Sequence, residues 1–579
     1  MPQTVSEFVP ADLDASEWAN IEPLLVALRD RPVESAEAFE TWIMDRSELD
    51  AAISEATALL YIGMTCHTDD EARQKAYADF IENVAPKVKP LSFELDKKHA
   101  QLAKRFDLGD RYLVINRDTS SDVELFREEN IPIQTDVQKL STEYQKIIGA
   151  MTVTIDGEEK TLPQMGVYQE STDRAEREKA WRLVTERRLQ DADAISGIFD
   201  QMITKRDEMA RNAGFKDYVG YTFKGMRRFD YTPELCFAFH EAIEKRVMPF
   251  VARLDERRRA QLGLDTLRPW DLSVDPKGRG PLRPFDGGVD LVAKTQRVFD
   301  RMSPELAGMF ETLGDGSNTS GADGGASLDL DSRKGKAPGG YQYMRDRSRK
   351  AFIFMNAAGQ HRDVETMVHE AGHAFHSMYC VDEPLVHYRE SPIEFAEVAS
   401  MTMELLTMPY WGEFYPDEED LARARRQQME GSLSLLPWIA TIDAFQHWLY
   451  TNPGHTREQR AQAWLDLEDR FGSAGHRVDW SGIEDARPLV WQRQGHLFGH
   501  PFYYIEYGIA QLGALGLWLK SLEEGEEKAL EAYRRGLSLG GSRPLPELFA
   551  ASELPFDFGD ATVARLVDRV EAELDKLPD

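Results

Sequence analysis

The chain has 579 residues, of which 42% are hydrophobic and 29% are charged, and its formal net charge is −31. A chain of this length exceeds what one compact core holds, so two or more structural units are expected. The strongly negative charge repels nucleic-acid phosphates and argues against a nucleic-acid partner.

The remaining composition indicates a soluble protein. The first 14 residues contain no apolar run, so we expect no secretory signal. The apolar stretches, such as Tyr507 to Leu519, are shorter than the ~20 residues that a membrane span needs. Three cysteines, Cys66, Cys236 and Cys380, stand far apart without a Cys-x-x-Cys pair, which argues against disulfides and against a thiolate zinc site. We therefore expect a cytoplasmic protein that does not bind membranes.

Helical periodicity dominates the N-terminal part of the chain. Leu49, Ile53, Ala56, Leu60 and Met64 recur at three- and four-residue steps, which predicts an amphipathic helix. This part is rich in charge and offers no candidate for site chemistry, whereas the later part contains all the candidate ligands. We predict a helical N-terminal lobe over residues 1–190 and a catalytic domain over residues 191–579.

The pattern changes before residue 360. Leu313 to Gly325 is rich in glycine, serine, asparagine and aspartate and is typical of a loop. The run Ala351 to Asn356 is apolar and aromatic, which favours a short strand. A small β-sheet is therefore predicted directly before the next helix.

That helix, predicted over residues 362–380 with Asp363 as its N-cap, carries a candidate metal site. His369 and His373 are four residues apart, so both imidazoles project from one face and can bind one zinc ion. Glu370 lies beside them and can accept a proton from metal-bound water and pass it to a leaving amine. The run His-Glu-x-x-His is the pattern that zinc peptidases use.

The third metal ligand has to come from another segment. His376 occupies the position where the longer three-histidine pattern has glycine, so this run supplies no third histidine. A second helix, predicted over residues 393–406, contains Glu394, Glu397 and Glu404. An acid among small and apolar side chains is costly to bury unless it meets a cation, which favours Glu397. Glu394 stays open as the rival.

These residues resemble the oligoendopeptidase F family, which is related to thimet oligopeptidase and neurolysin. The resemblance rests on the run His369 to His376 and on Glu397, which stands 24 positions after His373. It extends over most of residues 190–550. Other similar stretches are residues 333–341, 352–356, 436–448 and 501–507.

The resemblance implies a mostly α, elongated, two-lobed molecule with a deep substrate groove and a small β-sheet near the metal helix. It implies one zinc ion held by His369, His373 and Glu397, with Glu404 as a further acid that contacts the ligands without binding the ion. The expected partners are short unstructured peptides, and the expected state is a monomer or a weak homo-oligomer.

The same resemblance implies donors for the oxyanion of the transition state. In thimet-like relatives a histidine and downstream tyrosines line the site, and His496 matches that histidine best. The tyrosine spacing departs by one residue from the thimet-like arrangement. After a one-residue shift, Tyr504 and Tyr507 are the predicted partners of His496.

We also predict residues that bind the peptide itself. The apolar run that contains Phe352 and Phe354 is expected to offer an open strand edge on which a peptide pairs in extended form. Gly340 in the preceding glycine-rich turn and Tyr503 beside the catalytic tyrosines are expected to contact the substrate.

Three functions fit the sequence. The first is a zinc endopeptidase that hydrolyses oligopeptides, and the second is an exopeptidase of the dipeptidyl carboxypeptidase type. The third is a catalytically silent protein that holds peptides in the groove, against which the presence of both histidines, Glu370 and Glu397 argues.

Overall fold

The computed structural model describes residues 8–317, 326–472 and 478–578, and most of them are helical. The helices of the N-terminal part include a 31-residue helix, α2, whose N-terminus is capped by the Ser35 hydroxyl. These helices are α1 (Trp18–Asp30), α2 (Ala36–Cys66), α3 (Glu71–Asn83), α4 (Ala85–Arg105), α5 (Leu113–Leu125) and α6 (Asn130–Gly149).

A short antiparallel hairpin and a second group of helices follow. The hairpin is formed by β1 (Thr152–Ile155) and β2 (Glu158–Thr161). The helices are α7 (Gly166–Gln169), α8 (Arg174–Gln190), α9 (Ala192–Asn212), α10 (Tyr218–Gly225), α11 (Pro233–Ala242), α12 (Met248–Gln261), α13 (Gly287–Met302) and α14 (Pro304–Glu311).

The last part of the chain begins with a small sheet and continues as helices. The strands are β3 (Leu328–Asp331), β4 (Tyr341–Arg345) and β5 (Lys350–Ala357). The helices are α15 (His361–Tyr379), α16 (Ile393–Leu406), α17 (Glu418–Ser434), α18 (Leu436–Thr451), α19 (Arg457–Phe471), α20 (Gly495–Gly499), α21 (Tyr504–Glu524), α22 (Glu526–Leu537), α23 (Leu545–Ala551) and α24 (Asp560–Leu574). The predicted mostly helical fold with a small sheet before the metal helix is confirmed.

The buried apolar side chains form two large clusters. One gathers side chains between Val9 and Val114 and is completed by Leu385 and Tyr388. The other starts at Leu140 and extends to Leu574. The change from one core to the other falls between α5 and α6, and the boundary at residue 190 stays a prediction. Of the predicted glycine-rich loop, residues 318–325 lie outside the described part of the chain.

The order of the strands corrects one prediction. β5 lies between β3, with which it runs parallel, and β4, with which it runs antiparallel. Phe352 and Phe354 are fully buried and pack with Ile62 and Cys66 of α2. The prediction that β5 offers an open edge is therefore wrong, because both of its edges are already paired. Among the described residues β4 is paired on one side, so its other side is the free edge of this sheet.

Close helix packing positions the candidate site. α16 lies between α15 and α21 and is buried along most of its length. A Cβ atom on Gly372 would lie 2.5 Å from the Ala399 carbonyl oxygen and 2.6 Å from the Ser400 Cα. Glycine at this position of α15 therefore lets the two backbones touch, which brings the side chains of α16 to the histidines of α15. Within the described residues, the helices are too short or too polar to cross a lipid bilayer.

Candidate functional site

The two predicted histidines and Glu397 converge on one point. His369 and His373 present their rings from the same face of α15, with ring centroids 4.9 Å apart. The Oε2 atom of Glu397 on α16 lies 3.4 Å from the His369 Nε2 atom and 3.6 Å from the His373 Nε2 atom. Ligands of a tetrahedral zinc ion at 2.0–2.1 Å are separated by about 3.3 Å. The Glu397 oxygen already has almost that spacing to both nitrogens, and the three ligand atoms all lie within 4.8 Å of one another.

Glu404 fixes the orientation of His369. Its Oε1 atom lies 2.7 Å from the His369 Nδ1 atom, and its Oε2 atom accepts a hydrogen bond from the Gln428 amide at 2.9 Å. A carboxylate can only accept, so His369 Nδ1 carries a proton and Nε2 is the nitrogen that faces Glu397. This is the arrangement by which an outer carboxylate prepares a histidine for a metal ion.

The rival acid has other partners. Glu394 accepts a hydrogen bond from the Tyr231 hydroxyl at 2.7 Å and lies 3.7 Å from the Arg228 Nε atom. Because Glu394 already has the Tyr231 hydroxyl and the nearby Arg228 guanidinium as partners, the structure favours Glu397 as the acid that faces the two histidines.

Burial and close contacts change the pKa values of the three candidate ligands. Burial lowers the pKa of His373 to about 4. Burial also opposes the charged form of His369, but hydrogen bonds to Glu397 and Glu404 outweigh it and raise the pKa of that imidazole. For Glu397, the same hydrogen bond and the two nearby imidazoles outweigh burial and lower the pKa to about 2. Once His369 gives up its Nε2 proton, two imidazole nitrogens and one ionised carboxylate form a donor set that suits a divalent cation such as zinc.

Glu370 lies next to these ligands and has a free carboxylate oxygen. The residue is 7% exposed, and burial raises the pKa of the carboxyl to about 7. The Gln342 backbone N–H of β4 donates to this carboxylate. The Oε2 atom has no hydrogen-bond partner among the described residues. A buried acid with an unused oxygen beside a metal site is well suited to exchange a proton with water.

His496 is held as a neutral hydrogen-bond donor. The Trp438 indole N–H donates to Gln494 Oε1 at 3.1 Å, which turns the Gln494 amide nitrogen towards His496 Nδ1 at 2.7 Å. An amide nitrogen can only donate, so Nδ1 accepts and the proton of the neutral ring is on Nε2. Burial and the neighbouring His500 lower the pKa of His496, which favours the neutral form.

Three tyrosines at the start of α21 surround His496. The Tyr504 ring contacts the His496 ring edge to face at 4.9 Å, and the Tyr503 and Tyr507 rings lie within 6.1 Å of it. Burial raises the pKa of all three phenols, so each is a neutral donor at neutral pH. The negative charge of Glu397 also raises the pKa of Tyr503 and Tyr507. Tyr504 instead forms hydrogen bonds with Trp438 and Gln494.

Gly340 and the free edge of β4 border the same site. A Cβ atom on Gly340 would lie 3.9 Å from the Glu370 Oε1 atom and 3.4 Å from the Phe354 carbonyl oxygen. The turn before β4 therefore approaches Glu370 closely, whereas the side chains of Phe352 and Phe354 are buried against α2.

Sequence reasoning missed Gln494, Trp438 and Gln428. Gln494 stands two residues before His496, but no spacing rule marks a glutamine in an irregular segment as the partner of a histidine. Trp438 and Gln428 come from other helices, so their roles depend on how α17 and α18 pack. Only a three-dimensional structure reveals such contacts.

Comparison with known proteins gives matches over most of the chain. The profile of Peptidase family M3 matches residues 167–566, and that of the Peptidase M3 N-terminal domain matches residues 13–112. The chain is 26% identical over 206 residues to an oligoendopeptidase F homolog of Borreliella burgdorferi and 27% identical over 221 residues to the oligopeptidase PepF of Bacillus subtilis. These alignments cover 34% and 37% of this chain, and about a third of each relative, 34% and 32%.

Solved structures match over almost the whole chain. An X-ray structure at 3.1 Å assigned to oligoendopeptidase F has a TM-score of 0.84 at 27% identity and covers 98% of both chains. PZ peptidase A with an inhibitor has a TM-score of 0.83 at 27% identity and covers 96% of both chains. The resemblance to the oligoendopeptidase F family is thus confirmed, and the chain belongs to Peptidase family M3.

Proposed function

We propose that this protein is a zinc-dependent endopeptidase that hydrolyses oligopeptides. The observation that carries the proposal is the convergence of His369, His373 and Glu397, with the carboxylate of Glu370 beside them. These three donors would hold the ion. When bound, zinc supplies Lewis-acid polarisation of the scissile carbonyl and makes water at the site more acidic.

The side chains of the protein carry out the proton transfers. Glu370 would accept a proton from the attacking water through its free oxygen and donate it to the amine that leaves. His496, with its Nε2 proton held in place through Gln494, would donate a hydrogen bond to the oxygen that gains negative charge. Tyr507 and Tyr504 are proposed as further donors to the same oxygen, and Tyr503 as a contact of the peptide.

The free edge of β4 gives the peptide a place to bind in extended form. Main-chain pairing with β4 would bring the scissile bond past Gly340 and towards Glu370, because the Gln342 N–H already points at that carboxylate. Main-chain hydrogen bonds bind any extended sequence, which fits short unstructured peptides as substrates.

The direct test is cleavage of a peptide that is blocked at both ends. The native protein is expected to cut it internally, to lose activity when a chelator removes the metal and to regain activity with zinc. Glu370→Gln keeps the shape of the side chain but cannot take up the proton, so kcat should fall by at least ~10²-fold. Glu531→Gln, at an exposed position of α22, is the matched control.

The outcomes separate the alternatives. If Glu370→Gln cleaves as fast as the native protein, Glu370 is not the base. If the native protein releases dipeptides from free C-termini but leaves the blocked peptide intact, it is an exopeptidase. If the metal-loaded native protein binds peptides without cleaving them, it is a binding protein.

A further inference from the structure

A second group of metal-ligand side chains lies apart from the site described above. Cys236 on α11 and Asp443 and His447 on α18 offer ligand atoms that all lie within 4.8 Å of one another. All three residues are buried, with at most 4% of their surface exposed. The residues on each helix have the spacing of a metal-binding pair: Asp443 and His447 are four apart, as are Cys236 and His240. Two facing helices therefore each present one turn of candidate ligands.

The hydrogen bonds in this cluster are incomplete. The Asp443 Oδ1 atom and the His447 Nε2 atom have no hydrogen-bond partner among the described residues, although both are buried. His447 Nε2 lies 3.5 Å from the Asp443 Oδ2 atom, which is close to the separation of two ligands on one zinc ion. A buried carboxylate oxygen and a buried ring nitrogen that both lack partners are costly, and a cation bound to Asp443 and His447 would compensate for that cost.

The surroundings also fit a metal site. His240 Nε2 lies 2.8 Å from the Asp443 Oδ2 atom and can orient the carboxylate. The rings of Phe223, Phe237 and Phe502 lie around the His447 ring at 4.9–5.9 Å and give the cluster an apolar shell. A surface cavity of about 390 Å³ is lined by His240 and His447, among other residues, so an ion can reach the His447 ring from outside.

We propose that Cys236, Asp443 and His447 bind a second divalent cation of the zinc class, which joins α11 to α18. One sulfur, one oxygen and one nitrogen donor suit zinc or cobalt better than calcium or magnesium, which prefer oxygen alone. Binding takes the cysteine as thiolate, and its proton goes to solvent. The absence of a Cys-x-x-Cys pair argued against a thiolate site in the sequence, but the fold supplies the other ligands from a distant helix.

The cation would stabilise the segment at the start of α21 that carries the tyrosines. The His447 ring packs on Phe502, the residue directly before Tyr503, and α18 packs against α21. A cation fixed to His447 therefore restrains the segment from which Tyr503, Tyr504 and Tyr507 project. This role is structural, because the three ligands are buried and none of them belongs to the group of His369, His373 and Glu397.

Cobalt distinguishes the two sites in the intact protein. We would strip the reduced protein with a chelator, reload it with Co²⁺, and measure ions per chain together with the near-ultraviolet absorption. A sulfur-to-cobalt charge-transfer band can arise only where a thiolate binds the ion, and the site at His369 contains no sulfur. Two ions per chain with such a band are the expected result.

Variants assign each ion. Cys236→Ala should remove the band and one ion, whereas the control Cys380→Ala should keep both. His369→Ala/His373→Ala should lose one ion and keep the band, so failure of the proposed peptidase site and failure of this site give different results. In that double variant, added cobalt should still raise the unfolding temperature. If Cys236→Ala does not fold, Asp443→Asn provides the same comparison with a side chain of equal size.

Two results would overturn the proposal, and neither needs a variant. One is a cobalt-loaded native protein with no sulfur charge-transfer band. The other is a zinc-loaded crystal in which anomalous scattering shows no ion between Cys236 and His447. Either result would mean that hydrogen bonds and packing alone hold this cluster together.

Discussion

Removal of the Glu404 carboxylate tests whether the site is organised for a metal. Glu404 binds His369 Nδ1 at 2.7 Å, and its side chain is 19% exposed, so the hydrogen bond is short and partly shielded from water. A hydrogen bond to a charged group contributes about 1.5–3 kcal/mol. Loss of such a carboxylate behind a metal ligand typically costs ~10–100-fold in metal affinity. Glu404→Ala should therefore raise the Kd for zinc by ~10–100-fold.

Glu404→Gln provides an intermediate point. The glutamine oxygen can still accept from His369 Nδ1, but the negative charge is lost, and a neutral hydrogen bond is worth about 0.5–1.5 kcal/mol. We expect Kd for zinc to rise by ~3–10-fold in this variant. Because the three ligands themselves are unchanged, kcat at saturating zinc should fall by less than ~10-fold in both variants.

Competition between the metal-free protein and a chelator of known zinc affinity measures these constants. Glu531→Gln on the surface of α22 is the control, and its Kd should equal that of the native protein. The reasoning is refuted if Glu404→Ala binds zinc as tightly as the native protein while its circular dichroism is unchanged. In that case the contact between Glu404 and His369 would have no part in metal binding.

Three further changes test the helix contact behind the site, the proposed oxyanion donor and a buried acid outside the site. Gly372→Ala places a methyl group within 2.5 Å of the Ala399 oxygen, so α15 and α16 must separate, and we expect a lower unfolding temperature by calorimetry together with weaker zinc binding. His496→Ala should lower kcat by ~10²–10³-fold with a smaller change in KM, measured on a blocked peptide. Burial raises the pKa of Glu468 to about 7 despite Arg487, so its stabilising protonated form is lost as pH rises from about 4.5 through 7. In Glu468→Gln, denaturation midpoints at pH 5 and pH 8 should differ less than in the native protein.

The sequence predicted the parts of the site that depend on one helical turn. His369, Glu370 and His373 follow each other along α15, so their spacing alone determines that they share a face. The choice between Glu397 and Glu394 was different, because both acids lie on the same helix within three residues. Contacts with Arg228 and Tyr231 decide it, and Tyr231 stands 163 positions from Glu394.

The β-sheet shows a second limit. Composition correctly predicted a strand around Phe352 and Phe354, since aromatic and apolar residues favour strands. The order of strands in the sheet depends on which segments meet in three dimensions, and β3 pairs with β5 and not with β4, its neighbour in the chain. The strand that is most apolar in the sequence is central in the sheet, as burial on both sides requires, and the more polar β4 is left at the edge.

Both candidate metal groups combine a pair of ligands on one helix with a third from another helix, yet only one was predicted. At the first group, the third ligand follows His373 by 24 residues, so it lies on the next helix of the chain. At the second group, α11 and α18 are far apart in the chain: His240 and Asp443 are separated by 203 positions. A pair such as Asp443 and His447 is common on helices and does not by itself predict a metal site. The third candidate ligand, Cys236, joins the pair only because α11 packs against α18. Metal analysis of the cysteine variant therefore tests both this packing and the proposed metal binding.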